Sequence, residues 1–137
     1  FRYDMAQAGL PVREEWMIDA HDYDCESGRK SIQQLMTAPS QPTALLGMND
    51  MVSAGMLQGL LENGVRVPED ISLLGFDDTY LTTITTPQLT AVDYDYREFA
   101  RMLVDAAIAA IESEDFPREQ LVPPSLSIKK SCAPPRR

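Results

Sequence analysis

Short apolar runs that end in polar residues dominate the middle of the chain. The runs cover residues 43–47, 71–75 and 89–92, and a helical pattern at residues 51–62 lies between the first two. A strand, a helix and a strand in this order predict a doubly wound, mostly parallel sheet flanked by helices, which is an α/β fold. The polar residues after each run then lie at one edge of the sheet, where such folds bind ligands.

Further elements are predicted on both sides of this unit. Residues 1–8 have the spacing of the end of a helix, and residues 27–37 have that of an amphipathic helix. Residues 16–20 and 126–131 are short strand candidates. Residues 96–112 form the longest predicted helix, and its apolar side chains fall on one face, which indicates packing against a core.

The candidate site consists of the polar residues that follow four predicted strands, namely Tyr23, Asn49, Asp77 and Tyr94. Each also has a purely structural interpretation. Asn49 is suited to capping the next helix, as is its neighbour Asp50. Asp77 fits a solvated turn, Tyr23 fits a surface loop, and Tyr94 fits a packing role. The spacing alone leaves these alternatives open.

Several segments in sequence order resemble the effector-binding region of LacI/GalR-type bacterial transcription regulators. They are PTALLGMND, SAGMLQGLLENG, RVPEDISLLGFDD, PQLTAVDYDYREFARMLVDAAI and LVPPSLSIKKSCAPP. The resemblance implies an N-terminal helix-turn-helix domain followed by a two-lobed core like that of a periplasmic sugar-binding protein. Residues 1–92 and 121–137 would form the second lobe, incomplete at its N-terminus. Residues 93–120 would be the crossover and a helix that packs on the first lobe.

The resemblance also implies roles for the candidate residues. Asn49 matches an asparagine that hydrogen-bonds the effector, and Asp77 matches a pocket residue that accepts hydrogen bonds from it. Tyr23 matches an aromatic that stacks on the ligand ring. Tyr94 stands where many relatives have a polar side chain such as glutamine, so it either contacts the ligand or packs the hinge. The effector implied is a sugar or another small polar metabolite.

The same resemblance implies a homodimer or a higher oligomer. The expected interface is the small-residue face formed by Ala54, Gly55 and Gln58, together with Tyr80 in the long loop at residues 79–86. The structural alternative for this face is close packing within the chain, because small residues at helical spacing let backbones approach.

The net charge of -9 argues against nucleic-acid binding by this segment, because binding to phosphates needs a basic patch. DNA contact is expected only through the N-terminal domain that the family has upstream of Phe1, so we expect the chain to be a fragment. No run approaches the ~20 apolar residues of a membrane span, and the regulator is expected in the cytoplasm. The alternative within the same fold is a periplasmic sugar-binding protein of a transporter.

An enzyme is the third possibility. Asp93 and Asp95 superficially resemble the nucleophile and the acid/base of haloacid-dehalogenase-type phosphatases, but Arg97 departs from that motif. Cys25 and Cys132 have no metal-type spacing, and the chain has one histidine, so neither a metal site nor a cofactor is expected. The sequence therefore favours a sensing domain over an enzyme.

Overall fold

The computed structural model describes residues 1–112, 119 and 121–134. Parts of the expected crossover at residues 93–120 and of the expected second-lobe segment at residues 121–137 lie outside the described residues. The helices are α1 Arg2–Gln7, α2 Cys25–Met36, α3 Asp50–Glu62, α4 Leu81–Ile84 and α5 Tyr96–Glu112, with a 3-10 turn at Glu14–Trp16. The strands are β1 Ala44–Leu46, β2 Ser72–Asp77, β3 Thr90–Asp93 and β4 Ser125–Ser127.

The strands form a sheet in the order β1-β2-β3-β4. β1, β2 and β3 are parallel, with Leu45 opposite Leu73 and Gly75 opposite Ala91, and β4 joins the edge antiparallel. The predicted α/β class with a mostly parallel sheet is confirmed. Because β1, β2 and β3 run in the same direction, their carboxyl ends meet at one edge.

α2 and α3 approach each other so closely that only glycine fits at their contact. A Cβ added to Gly55 would lie 1.9 Å from the carbonyl oxygen of Cys25, and one added to Gly28 would lie 2.2 Å from that of Val52. Gly55 is therefore buried against α2. The expectation that Gly55 belongs to a surface between subunits is wrong, because the backbone of α2 already occupies that side of α3.

The core lies between these helices and the face of the sheet. Its largest fully buried apolar side chains come from α2, α3, β2 and the approach to β3. They are Ile32, Leu35, Leu60, Leu73 and Leu89.

The C-terminal segment forms hydrogen bonds with both β2 and β3. The hydroxyl of Ser131 donates to the carbonyl oxygen of Leu73 at 2.5 Å and accepts from the amide of Thr90 at 2.8 Å. The amide of Leu73 donates to the carbonyl oxygen of Ser131 at 2.8 Å. The predicted strand at residues 126–131 is shorter than expected, since β4 ends at Ser127 and Ser131 then bridges β2 and β3.

Residues 16–20 do not form the predicted strand. Trp16 ends the 3-10 turn, and its indole nitrogen donates to the carbonyl oxygen of Ser40 at 2.9 Å. Met17 is extended, at φ −95° and ψ 90°, yet in the described part of the chain residues 17–20 have no strand beside them. The prediction fails because a strand needs a neighbour for its backbone hydrogen bonds, which the side-chain pattern does not reveal.

α5 begins and ends as predicted, but its apolar face is uncovered. None of its 17 residues is buried, and Leu103 is 55% exposed. The proposed packing of this helix on a first lobe stays a prediction. The long loop predicted at residues 79–86 contains the short helix α4. In the described part of the chain, no helix combines the length and apolar character needed to cross a membrane.

Candidate functional site

The polar residues at the carboxyl edge of the sheet come from three parallel strands and the loops after them. Asp77 ends β2 and pairs in register with Asp93, which ends β3. Asn49 follows β1 and opens α3. Parallel pairing thus brings polar groups that are distant in sequence to one edge, as the sequence predicted.

Asn49 caps α3, which confirms the structural interpretation of this residue. Its side-chain oxygen accepts from the amide of Val52 at 2.7 Å, and its side-chain nitrogen donates to the carbonyl oxygen of Tyr23 at 3.1 Å. The cap uses one lone pair and one N–H, so a second N–H and a second lone pair remain for a ligand. Asn49 also connects the Tyr23 loop to the start of α3.

Asp50 is not the helix cap that the sequence allowed. It is the first residue of α3 and is 3% exposed, and its carboxylate accepts from the amide of Thr79 at 2.5 Å. Its other oxygen, Oδ1, has no hydrogen-bond partner among the described residues. A buried carboxylate beside the sheet edge adds negative potential to the site.

The pKa of Asp77 is raised above its ordinary value. Burial raises the pKa of its carboxyl, the charge of Asp50 raises it further, and a hydrogen bond from the Asp50 amide opposes both. Among the described residues no side chain donates to Asp77. Its φ is 98°, in the region that favours glycine. Strain of this kind persists only where the surrounding structure enforces it, and it concentrates at functional sites.

Tyr94 lies within an aromatic cluster beside Asp77. Its ring meets Phe76 edge to face, with centroids 5.7 Å apart, and meets Tyr96 in the same way at 5.8 Å. Burial raises the pKa of the Tyr94 hydroxyl, and the charge of Asp77 raises it further. The structure therefore brings two of the predicted residues, Asp77 and Tyr94, into one electrostatic environment.

Tyr96 belongs to this cluster and was not predicted. The pKa of its hydroxyl is raised first by burial and then by the charge of Asp77, with smaller effects from Tyr94, Asp50 and Asp93. No local pattern marks Tyr96, which is the first residue of α5 and meets Tyr94 across the short connection from β3.

Asp78, the second carboxylate of the predicted turn, has a structural role. The ammonium group of Lys129 and the hydroxyl of Thr82 both donate to its Oδ1, the latter at 2.7 Å. Burial raises the pKa of Asp78, but hydrogen bonds led by that from Lys129 outweigh burial and lower it. Lys129 is thereby occupied, which leaves the charge of Asp77 uncompensated by this cation.

Tyr23 projects from the loop before α2. Its side chain is 53% exposed and its φ is 56°. It reaches the rest of the edge through its backbone carbonyl, to which Asn49 donates. α2 begins two residues later, at Cys25, and Asp24 and Ser27 form a reciprocal capping box at its start.

Of the two carboxylates considered for catalysis, Asp95 has a structural role. The Oδ1 of Asp95 accepts from the amides of Arg97 and Glu98, at 3.0 and 3.1 Å, so Asp95 caps α5. Cys25 and Cys132 are free thiols. Across the described residues, no group of three or more His, Cys, Asp and Glu side chains has the arrangement of a metal site.

The residues expected at a subunit interface differ in exposure. Tyr80 is 78% exposed at the start of α4, Gln58 is exposed on the outer face of α3, and Ala54 is half-buried beside it. Gln58 donates to the carboxylate of Glu62 at 2.8 Å. With Gly55 removed from the set, the exposed face comprises Ala54, Gln58 and Tyr80.

Comparison with known proteins supports one family. Residues 1–132 match the periplasmic binding protein-like domain family. The chain is 30% identical over 132 residues to the HTH-type transcriptional repressor PurR of Photobacterium profundum, covering 96% of the chain and 39% of that protein. It is 34% identical over 92 residues to catabolite control protein A of Priestia megaterium, covering 67% of the chain and 27% of the relative.

A solved structure gives the same result. The chain superposes with a TM-score of 0.85 and 27% identity on a LacI-family sugar-binding transcriptional regulator from Escherichia coli complexed with phosphate, over 97% of this chain and 48% of that one. The chain thus spans about two fifths of PurR and half of the solved chain. The chain belongs to the periplasmic binding protein-like domain family, in the group formed by LacI-type transcriptional regulators.

Proposed function

We propose that the chain is the effector-sensing part of a cytoplasmic LacI-type transcriptional regulator, and that Asp77 binds the effector. The proposal rests on the position, backbone conformation and hydrogen bonding of this carboxylate. It lies at the carboxyl edge of the sheet, on a backbone with positive φ, and among the described residues it receives no side-chain hydrogen bond. A half-buried acceptor without such a partner gains free energy when a ligand donates to it.

The chemistry of the edge favours a neutral ligand that is rich in hydroxyl or N–H donors, such as a sugar or sugar derivative. Asp50, Asp77 and Asp93 lie near Tyr96, and the nearby cation Lys129 is paired with Asp78. An anionic group would therefore meet repulsion on this side. The rings of Tyr23 and Tyr94 supply apolar faces, and the free N–H of Asn49 supplies a donor.

The regulatory part of the proposal rests on population shift. A ligand bound between this lobe and a second one would favour the lobe arrangement that it fits best. In the complete regulator, the coupling would alter operator affinity, and operator would alter ligand affinity by the same factor. The relatives include the repressor PurR and a ribose operon repressor, which supports a regulator over a transport protein or an enzyme.

Assembly is a further part of the proposal. We infer a homodimer or a higher oligomer whose interface includes Ala54, Gln58 and Tyr80. The support is the exposure of a large aromatic, Tyr80, on α4, which packs against α3. A two-fold arrangement also suits the palindromic operators that dimeric repressors bind.

The ligand test uses calorimetry on the complete regulator with a panel of neutral sugars and nucleobases. For the ligand that binds, Asp77→Ala is expected to weaken affinity about ten- to hundredfold, or ~1.5–3 kcal/mol, because a charge-assisted hydrogen bond is lost. The control is Asp105→Ala, which removes an equal charge from the exposed surface of α5. Equal affinities for wild type and Asp77→Ala, with the fold intact, would exclude Asp77 from the site.

A further inference from the structure

Asp50 is a buried carboxylate beside the proposed effector contact, which does not use it. The residue is 3% exposed at the start of α3. Its Oδ2 accepts from the amide of Thr79 at 2.5 Å, and its Oδ1 has no hydrogen-bond partner among the described residues. Burying a charge with so few partners costs free energy. This cost indicates that the carboxylate has a specific role at the sheet edge.

Asp50 contacts the turn between β2 and α4 at both of its ends. Its backbone amide donates to the side chain of Asp77, at the start of the turn, and its carboxylate accepts from the backbone of Thr79, at the end. Between these contacts the backbone is strained, since φ is 98° at Asp77 and 55° at Asp78. Residues other than glycine keep such values only where surrounding contacts enforce them. The two contacts of Asp50 are of that kind.

β2 leaves room for the Asp50 carboxylate at Gly75. A Cβ added to Gly75 would lie 3.3 Å from the Oδ1 of Asp50 and 3.3 Å from the hydroxyl of Ser53. The carboxylate therefore lies beside the backbone of β2, two residues before Asp77, and is enclosed between α3 and the sheet. Enclosure of this kind fixes a side chain in one rotamer, which a group that orients another residue requires.

The charge of Asp50 also acts on Asp77. Burial raises the pKa of the Asp77 carboxyl, and the charge of Asp50 raises it further. The other ionisable groups around this turn are two carboxylates, two phenols and one ammonium group, namely Asp78, Asp93, Tyr94, Tyr96 and Lys129. The ammonium group is paired with the neighbouring carboxylate. Among the described residues, Asp50 is therefore the charged neighbour that acts most strongly on Asp77.

We propose that Asp50 is a positioning residue for Asp77, holding the turn at residues 77–79 so that the Asp77 carboxylate stays available to the effector. This inference rests on the proposed effector role of Asp77. Because the Asp50 side chain is enclosed, it acts through Asp77 and not by contact with the effector. Two of its properties can be separated by substitution. Asp50→Asn keeps an acceptor oxygen for Thr79 and removes the charge, whereas Asp50→Ala removes both.

The first test needs no effector. Amide exchange at Thr79 and the pKa of Asp77 are measured by NMR in the full 137-residue chain. Asp50→Ala should make the Thr79 amide exchange at least roughly tenfold faster, because its acceptor is lost. Asp50→Asn should keep most of the protection. It should also lower the pKa of Asp77, because a nearby negative charge is removed. The control is Asp105→Asn, which removes a charge from the exposed surface of α5 and should change neither quantity.

The second test measures affinity against pH in the complete regulator, with the sugar or nucleobase that binds wild type most tightly. If ionised Asp77 is the acceptor, affinity falls as the pH is lowered through its pKa. Asp50→Asn lowers that pKa, so the fall should move to lower pH while affinity at neutral pH stays close to that of wild type. Asp50→Ala should weaken binding about tenfold at neutral pH, because the turn is no longer held.

Three results would overturn the inference. They are unchanged Thr79 exchange in Asp50→Ala, an unchanged pKa of Asp77 in Asp50→Asn, and a loss of affinity in Asp50→Asn as large as that in Asp77→Ala. If Asp50→Ala does not fold, Asp50→Asn decides through the pKa and the pH profile. Failure of the effector proposal is recognised separately, because Asp77→Ala would then bind like wild type while the effector-free test still reports whether Asp50 holds the turn.

Discussion

α3 and α5 are both regular helices, yet they differ in what covers them. α3 has 13 residues and buries most of its apolar side chains between α2 and the sheet, including Leu60, which is fully buried. α5 has 17 residues and buries none. The apolar residues of α5 lie on one face, whereas those of α3 lie around much of its circumference. An apolar helix face therefore indicates that the helix packs against something, but it does not indicate whether the packing surface lies within the described chain.

The two helices also contribute differently to stability. Tertiary packing supplies most of the stability of helices in proteins. α3 therefore depends on α2 and β2 within the chain, whereas α5 depends on its own backbone and on surface ion pairs such as that between Glu98 and Arg101. Exposed pairs of that kind contribute little.

The largest expected effect comes from truncating one leucine in each helix. Leu60→Ala should lower the free energy of unfolding by ~2–5 kcal/mol, because it opens a cavity in the core. Leu103→Ala, the matched change on the exposed face of α5, should change it by less than about 0.5 kcal/mol. Urea unfolding of both variants measures the difference. A loss of ~2 kcal/mol or more in Leu103→Ala would show that α5 is covered in solution.

Much of the fold was predictable because it depends on local patterns. β1, β2, β3, α3 and α5 were all predicted to within about two residues, since apolar periodicity and turn residues mark them. The strand predicted at residues 16–20 is wrong for a reason that no local sequence pattern could reveal. Their backbone lacks a neighbouring strand in the described structure, and strand pairing is a property of two segments.

The position of the candidate site was predictable, but its contacts were not. Parallel strands determine that Asp77 and Asn49 share an edge, whereas no local pattern pointed to Tyr96, the first residue of α5. The pairing of Lys129 with Asp78 joins residues that are far apart in sequence, so it could be recognised only from the three-dimensional structure. The burial of Gly55 against Cys25 could not be predicted either, because small residues indicate close packing but do not indicate which element packs against them.

The second prediction tests that contact between α2 and α3. In an uncrowded helix, Gly→Ala stabilises by up to ~1 kcal/mol. At Gly55 the new methyl group would collide with the carbonyl of Cys25, so Gly55→Ala should instead destabilise by about 1–3 kcal/mol. The sign of the change therefore decides whether the helices touch.

The control for Gly55→Ala is Gln58→Ala, which lies on the exposed side of the same helix and should stay within about 0.5 kcal/mol of wild type. Thermal or urea unfolding of the two variants is sufficient. A more stable Gly55→Ala protein would contradict the close approach of α2 and α3.

The smallest expected effect on stability is the most informative about assembly. Tyr80→Asp and Leu103→Asp each replace a large exposed side chain with a negatively charged one. The first lies next to α3 and the second on α5. Neither should change the free energy of unfolding of the monomer by more than about 0.5 kcal/mol. If the α3 surface is the interface, Tyr80→Asp should raise the dimer dissociation constant at least roughly tenfold, since aromatic anchors dominate interfaces. Leu103→Asp should leave the constant unchanged. Sedimentation equilibrium measures both, and the opposite pattern would assign association to α5 and leave Tyr80 as a surface residue.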